Sequence, residues 1–247
     1  MNWKVNTMKK SDKSQADFTF AHREEGFDNH IENSIRGYGN LHDDVVALSR
    51  YFVDEESNVY DIGSSTGKTI AAMAKQNYSF APKACYVGVE NAAGFENDMN
   101  NRVTEVETEN PGTQMHFVYD DVRNVKIENA CLVTSIFTLQ FMPPNSRREV
   151  VKKIYDGLNY GGAFIFAEKT VAKDARLQEM LTFNYYDYKR KSFSTDDIMD
   201  KERTLRNMLK PNTWQELTST LACCGFDLYK VQPFWQNHMF VGAIAIK

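Results

Sequence analysis

Short apolar stretches alternate with amphipathic stretches through the middle of the chain. Runs rich in branched and aromatic side chains predict β-strands over residues 58–62, 84–89, 115–118, 131–136 and 162–167. Apolar side chains at helical spacing predict helices over residues 67–76, 93–107 and 146–158. Strands that alternate with helices favour parallel βαβ units, with helices on both faces of one sheet.

The segments on either side of this alternation have different patterns. Residues 1–17 are polar and lack periodicity, which predicts a flexible tail ahead of a single domain over residues 18–247. Helical spacing over residues 18–53 predicts an N-terminal extension of two helices, broken near Gly37. Residues 173–209 are charged and helical in pattern. They predict a helical insertion over the carboxyl ends of the strands, where ligands bind in such sheets.

The C-terminal pattern predicts a helix over residues 211–224 and then two strands, over 227–231 and 235–246. Because only a few residues separate the two strands, we expect an antiparallel hairpin. The whole pattern predicts an α/β fold with a mostly parallel, seven-stranded, Rossmann-like sheet whose last strand is antiparallel.

Composition indicates which partners the chain can bind and in which compartment it is found. The 247 residues are enough for one sizeable domain, and the net charge of -4 disfavours direct binding of nucleic acid. No apolar stretch is long enough to cross a membrane, and the N-terminus lacks the apolar core of a signal peptide. The four cysteines form no CxxC pair, so we expect no metal site and a cytoplasmic location.

A loop of small residues follows the first predicted strand. Asp61 lies near the end of that strand, and Gly63, Ser64, Ser65 and Gly67 let the backbone bend tightly beside a ligand. Ser65 replaces the second glycine of the dinucleotide fingerprint, which disfavours a dehydrogenase. Residues 67–69 (Gly-Lys-Thr) match the end of a phosphate-binding loop. That motif needs its first glycine five residues before Gly67, but Gly63 is only four residues before it, which disfavours a nucleotide triphosphatase.

Acidic residues lie at the ends of the next two strands. Glu90 ends the second strand and can accept hydrogen bonds from both hydroxyls of a ribose, although for this residue alone a solvated acid near a helix start is an equally good explanation. Asp121 and Val122 follow the third strand, where a carboxylate and a backbone amide can hold adenine. The loop and these acids, in this order, predict the S-adenosylmethionine site of a class I methyltransferase.

Longer motifs carry a more specific resemblance. They are residues 34–38 (Ser-Ile-Arg-Gly-Tyr), 121–123 (Asp-Val-Arg), 137–141 (Phe-Thr-Leu-Gln-Phe), 153–159 (Lys-Ile-Tyr-Asp-Gly-Leu-Asn), 168–169 (Glu-Lys) and 187–190 (Asp-Tyr-Lys-Arg). With these motifs, residues 18–247 resemble the carboxy-S-adenosylmethionine synthases of the tRNA wobble-uridine modification pathway.

The resemblance implies an activity and a set of contacts. Prephenate would give a carboxyl group to the methyl carbon of S-adenosylmethionine through a sulfonium ylide that captures carbon dioxide, with release of phenylpyruvate. The bound ligand would be S-adenosylmethionine, its carboxylated product or S-adenosylhomocysteine, and the chain would form a homodimer. The implied ligand contacts are Tyr38, Asp61, Gly63, Ser64, Ser65, Glu90, Asn91, Asp121 and Val122.

Two positions depart from the family pattern. Ile136 stands where the family has asparagine, and Glu202 stands where the family has the arginine that meets the transferred carboxylate. Because an ionised carboxylate repels that group, we expect Glu202 to turn outward and Arg203 to enter the pocket. Arg203 and Tyr38 are then the predicted catalytic residues. Arg206, one turn further, is the other candidate.

These departures leave two other functions open. The chain could be a methyltransferase for a small-molecule acceptor, or a catalytically silent relative that binds S-adenosylmethionine. The aromatic cluster of Tyr185, Tyr186 and Tyr188 has two interpretations as well: it lines the substrate pocket and faces the sulfonium, or it belongs to ordinary packing or a dimer contact.

Overall fold

The structure is a computed structural model, and it describes residues 26–247. The predicted tail over residues 1–17 and the start of the predicted N-terminal helix lie outside the described residues. Within residues 26–247, no helix combines the length and the apolar character needed to cross a membrane.

One seven-stranded sheet organises the described residues. Its strands are β1 (Asn58–Ile62), β2 (Cys85–Glu90), β3 (Gln114–Tyr119), β4 (Ala130–Ile136), β5 (Leu158–Lys169), β6 (Val231–Asn237) and β7 (Phe240–Ile246). They are arranged in the order β3-β2-β1-β4-β5-β7-β6. Strands β1 to β5 are parallel, and β7 is antiparallel to both of its neighbours. The predicted mostly parallel sheet with an antiparallel last strand is confirmed.

Helices connect the strands and cover the sheet. They are α1 (Phe27–Ser34), α2 (Tyr38–Ser49), α3 (Lys68–Asn77), α4 (Glu96–Glu109), α5 (Pro144–Gly157), α6 (Ala175–Lys189), α7 (Thr195–Met208) and α8 (Trp214–Cys224). Gly37, with φ of 75°, separates α1 from α2 near the predicted break. Helices α6 and α7 form the predicted helical insertion between β5 and α8.

Neighbouring residues of the central strands pack on opposite faces of the sheet. Leu132 of β4 and Ile165 of β5 belong to the apolar cluster that includes residues of α2 and α3. Val133 and Phe164, each one position away in sequence, belong to the cluster that includes residues of α5 and α8. Because side chains alternate along a strand and both faces are covered, these strands are apolar nearly throughout.

The C-terminal hairpin differs from the prediction. Residues 228–230 form a short 3-10 helix, and Asp227 accepts a hydrogen bond of 3.0 Å from the N–H of Tyr229. The predicted strand over 227–231 is therefore wrong, and Trp235 belongs to β6 and not to the last strand. The hairpin turn lies at His238 and Met239, which lack the glycine or Asn-Gly signal that identifies a two-residue turn from sequence.

Candidate functional site

A cavity of about 540 Å³ lies at the carboxyl ends of β1 to β5, beneath residues of α1 and α7. Of the predicted contact residues, six line it: Gly63, Ser65, Glu90, Asn91, Asp121 and Val122. Residues after β4 and β5 and on the insertion complete the wall, among them Ile136, Phe137, Thr138, Gln140, Lys169, Tyr185, Lys201 and Glu202. A more open groove runs along α5 and contains none of the predicted site residues. The predicted cofactor loop and the helical insertion therefore meet at one cavity.

The loop after β1 owes its shape to residues in the left-handed backbone region. Gly63, Ser65 and Gly67 have φ values of 72°, 50° and 75°. The N–H of Gly63 donates a hydrogen bond of 2.8 Å to the carbonyl of Val89 in β2. A Cβ atom on Gly63 would lie 2.2 Å from Oγ1 of Thr138, so this position requires glycine for both conformation and space.

The carboxylate of Glu90 is fixed at the cavity wall. Its Oε2 atom accepts a hydrogen bond of 2.9 Å from the N–H of Ser65. Its Oε1 atom accepts hydrogen bonds of 2.9 Å from the N–H groups of Asn91 and Ala92. A carboxylate offers about four acceptor positions, so these three bonds orient the group and leave about one position, on Oε2, for a hydroxyl of a ligand. The geometry fits the ribose-binding role predicted for this residue.

Asp121 and Val122 lie after β3, at the outer end of the same wall. The guanidinium of Arg123 donates hydrogen bonds of 2.9 and 2.6 Å to the carboxylate of Asp121 and lowers the pKa of that carboxyl. Asp121 is therefore ionised at neutral pH, and a carboxylate accepts hydrogen bonds from donors such as the exocyclic amine of adenine.

Asp61, Ser64 and Tyr38 do not line the cavity. The Oγ1 atom of Thr134 donates a hydrogen bond of 2.6 Å to the Asp61 carboxylate, and burial raises the pKa of Asp61 to about 6. The hydroxyl of Ser64 donates a bond of 2.7 Å to the Asp61 carbonyl. Tyr38 is buried 6.3 Å from the ring of Phe137. The structure thus places these residues beneath the site, as supports for its loops, and not at its surface.

The inner end of the cavity holds a pair of opposite charges. The ammonium of Lys169, at the end of β5, lies 3.9 Å from the carboxylate of Glu202 on α7. The side chains are only 15% and 12% exposed. The expectation that Glu202 turns outward is wrong, because α7 presents this residue to the cavity.

Arg203 does not enter the cavity, and its predicted position is also wrong. Its side chain is 78% exposed, and its guanidinium donates a hydrogen bond of 2.7 Å to Asp200 one turn earlier. Adjacent residues of a helix point in directions about 100° apart, so a helix that directs Glu202 inward directs Arg203 away. Arg206 is exposed as well and lines a smaller neighbouring cavity.

The segment after β4 is held by buried polar groups. The N–H of Leu139 donates a hydrogen bond of 3.1 Å to the carboxyl group of Glu168, and the amide oxygen of Gln140 accepts one of 2.7 Å from the N–H of Lys169. Arg147 donates a bond of 2.9 Å to the carbonyl of Leu139. Phe137 has a φ of 57°, which is an uncommon backbone conformation for an aromatic residue. These bonds attach the segment to the end of β5 and to α5, and the segment forms part of the site wall.

Sequence reasoning missed Lys169, Phe137, Thr138 and Gln140 as site residues. Lys169 ends β5 and the other three follow β4, so the rule that identified Glu90 at the end of β2 could have identified them. The aromatic cluster divides in the structure. Tyr185 lines the cavity, Tyr186 lines the smaller neighbouring one, and the hydroxyl of Tyr188 donates a hydrogen bond of 3.1 Å to a carbonyl of α1.

Comparison with known proteins gives close relatives by sequence. The chain is 34% identical over 225 residues to a carboxy-S-adenosyl-L-methionine synthase of Staphylococcus epidermidis, which covers 90% of this chain and 92% of that protein. It is 33% identical over 234 residues to the synthase of the same name from Vibrio parahaemolyticus. This match covers 94% of this chain and 92% of that protein. No protein-family model matches the chain.

Solved structures with the same fold are more distant in sequence. The magnesium protoporphyrin IX methyltransferase of Synechocystis with bound S-adenosylmethionine superposes with a TM-score of 0.59 at 13% identity, over 96% of this chain and 86% of that one. The human N-acetylserotonin methyltransferase in complex with S-adenosylmethionine superposes with a TM-score of 0.53 at 16% identity. The match covers 83% of this chain and 51% of that one. These likenesses confirm the predicted class I methyltransferase fold.

Proposed function

The chain belongs to the family of carboxy-S-adenosylmethionine synthases, and we propose that it converts S-adenosylmethionine and prephenate to carboxy-S-adenosylmethionine and phenylpyruvate. The observation that carries the proposal is the Glu90 carboxylate, which is fixed by backbone N–H groups at the wall of a cavity formed by the strand ends. The ribose of a nucleoside suits such a carboxylate, because one of its hydroxyls can donate a charge-assisted hydrogen bond to the acceptor position that remains.

The cavity residues fit S-adenosylmethionine along its length. Asp121 and Val122 hold adenine, Glu90 holds the ribose, and the loop at Gly63 and Ser65 lies beside the methionine part. Gly63 lines the cavity and has no side chain, so the ligand can approach its backbone closely from the cavity. The sulfonium then lies toward the ends of β4 and β5.

The reaction balances without a further reagent. The bond between the prephenate ring and its carboxylate breaks, the ring hydroxyl leaves as the ring becomes aromatic, and carbon dioxide is released. The methyl group of S-adenosylmethionine gives up one proton, which leaves with that hydroxyl as water, and its carbon forms a bond to carbon dioxide. Phe137 and Tyr185 line the cavity, and their aromatic rings would help to keep water from the carbanion equivalent, which protonation would otherwise destroy.

Mass spectrometry of the small molecules after incubation tests the proposal. With S-adenosylmethionine and prephenate we expect a carboxylated cofactor and an equal amount of phenylpyruvate. Omission of prephenate is the control and should give neither. An unchanged cofactor mass at saturating prephenate would reject the synthase function.

A methyltransferase is the second candidate, and the Glu202 carboxylate favours it. Its Oε1 atom is buried and has no hydrogen-bond partner among the described residues. A ligand donor such as the amine or hydroxyl of a small acceptor would satisfy this oxygen. Formation of S-adenosylhomocysteine with a methylated acceptor, and no carboxylated cofactor, would identify this function. Tight binding of S-adenosylmethionine without any turnover would identify a silent relative.

The wider assignments stay predictions. They are participation in wobble-uridine tRNA modification, a cytoplasmic location, a homodimer and the lack of direct contact with nucleic acid. The acidic net charge supports the last of these, because nucleic-acid surfaces attract basic proteins.

A further inference from the structure

The ends of neighbouring strands mark successive positions along the cavity. In the order of the sheet, β3, β2 and β1 contribute Asp121, Glu90 and Gly63, and β4 and β5 come next. Since neighbouring strands are about 4.8 Å apart, the end of β5 lies roughly 10 Å beyond that of β1. A nucleoside with its adenine at Asp121 and its ribose at Glu90 therefore directs its reacting end toward β5.

Lys169 is the charged group at the end of β5. Its ammonium lies 5.6 Å from the centre of the Tyr185 ring and beyond hydrogen-bond distance of Glu202. No residue that the structure describes accepts a hydrogen bond from this ammonium. Burial lowers the pKa of Lys169, the negative charge of Glu202 opposes this shift, and the positive charge of Arg206 adds to it. A buried ammonium with unused donors suits an anionic ligand.

Other cations of this region are engaged elsewhere or, like the exposed Arg206, do not line this cavity. Arg203 is exposed and hydrogen-bonded to Asp200. Lys201 lines the cavity, but its ammonium contacts the imidazole of His30 in α1. Arg123, at the adenine end, holds Asp121.

The charges balance when a carboxylated ligand is present. The sulfonium and the ammonium of Lys169 are positive, and the transferred carboxylate and Glu202 are negative, so the group of four is neutral. With the carboxylate between the sulfonium and Lys169, each negative group has a positive neighbour. Without Lys169, the new carboxylate would instead face the carboxylate of Glu202, and like charges in a low-dielectric site repel strongly.

We propose that Lys169 is the residue that binds the transferred carboxylate in this chain, in place of an arginine of α7. This assignment rests on the proposed synthase function and names the residue that distinguishes product from substrate. A lysine is a compact point charge on a flexible stem, so it can reach a carboxylate without the planar match that an arginine requires.

Calorimetry with synthetic carboxy-S-adenosylmethionine and with S-adenosylmethionine tests the assignment. Lys169→Met should bind the carboxylated ligand at least about 30-fold more weakly than the wild type and S-adenosylmethionine within about threefold. The retained affinity for S-adenosylmethionine shows that the variant is folded. Lys169→Arg, which keeps the positive charge, should keep most of the affinity for the carboxylated ligand. Arg203→Ala is the matched control, and both affinities should equal those of the wild type.

In Lys169→Met, the Glu202 carboxylate loses its positive neighbour and could itself repel the carboxylated ligand. A double variant separates this effect from the loss of the Lys169 charge. Lys169→Met with Glu202→Gln removes both charges, and the preference for the carboxylated ligand should still be lost. Equal affinities of the wild type and both methionine variants for that ligand would overturn the role of Lys169 while leaving the synthase function in place. Loss of the preference in Arg203→Ala would also overturn it. A wild type that does not bind the carboxylated ligand would reject the synthase function and this inference with it.

Discussion

The Oγ1 atom of Thr134 in β4 donates a hydrogen bond of 2.6 Å to the carboxylate of Asp61 at the end of β1. Burial raises the pKa of Asp61 to about 6, and this hydrogen bond acts in the opposite direction because it stabilises the ionised form. Two neighbouring strands are thereby joined below the loop that carries Gly63. The hydrogen bond between Thr134 and Asp61 therefore links the conformation of the loop at Gly63 to the core of the sheet.

Replacing Thr134 by valine should raise the pKa of Asp61 above about 6. Valine has nearly the shape of threonine but no donor, so the buried carboxylate loses its partner, at a cost of about 1–3 kcal/mol in the free energy of unfolding near neutral pH. Thr134→Ser keeps the hydroxyl and is the matched control. Carboxyl NMR of labelled aspartate measures the titration. An Asp61 pKa that is the same in the valine variant and the wild type would contradict the prediction.

Glu90→Gln should weaken the binding of S-adenosylmethionine. The amide replaces one acceptor oxygen by a donor, so it cannot accept from Ser65 on one side and from Asn91 and Ala92 on the other. Loss of a charge-assisted hydrogen bond to the ribose costs about 1.5–3 kcal/mol, which is roughly 10- to 150-fold in affinity.

Titration calorimetry measures this affinity. Glu107→Gln, a change of the same kind at an exposed position of α4, should leave it at the wild-type value. Unchanged affinity in Glu90→Gln would mean that the ribose is bound elsewhere.

The fold could be predicted from the sequence because its signals are local. Buried strands at regular spacing, the small residues around Gly63 and an acid at the end of β2 each follow from nearby residues. The hairpin turn at His238 carries no glycine, so its place was not visible in the pattern. The direction of Glu202 depends on how α7 packs over the sheet, which is a tertiary property that residue order alone does not specify.

Gly63→Ala should impair both stability and ligand binding. A left-handed backbone costs a residue with a Cβ atom about 1–2 kcal/mol, and steric overlap with Thr138 adds about 1–3 kcal/mol. Urea unfolding and calorimetry measure the two effects. Adding Thr138→Ala removes the atoms at 2.2 and 2.5 Å from the new Cβ but leaves the Thr138 Cβ at 2.8 Å, so recovery should be partial.

Gly39→Ala is the control for this substitution. Gly39 lies in α2, and a Cβ atom there meets no other atom within 4 Å. Alanine favours a helix over glycine by up to about 1 kcal/mol, so this variant should be as stable as the wild type or slightly more stable. If Gly63→Ala matched Gly39→Ala in both measurements, the loop would not need its left-handed glycine.

Glu168→Gln should become progressively more stable than the wild type as the pH rises. Burial raises the pKa of Glu168 to about 8, and the charge of Arg147 and the backbone donors of the segment after β4 offset only part of this shift. An unfolded glutamate has a pKa of about 4.3. A carboxyl whose pKa is raised on folding stabilises the fold below its unfolded pKa, and this stability is lost as the pH rises toward the folded value.

The glutamine variant lacks this titration and keeps an oxygen that accepts from the N–H of Leu139. The difference in the free energy of unfolding, variant minus wild type, should therefore increase between about pH 5 and pH 8 by up to about 1.4 kcal/mol per pH unit. Above the folded pKa the difference should level off. Urea unfolding at each pH measures it, with Glu107→Gln as the exposed control, for which the difference should stay constant. A difference for Glu168→Gln that does not vary with pH would show that this carboxyl is ionised throughout the range, held so by Arg147.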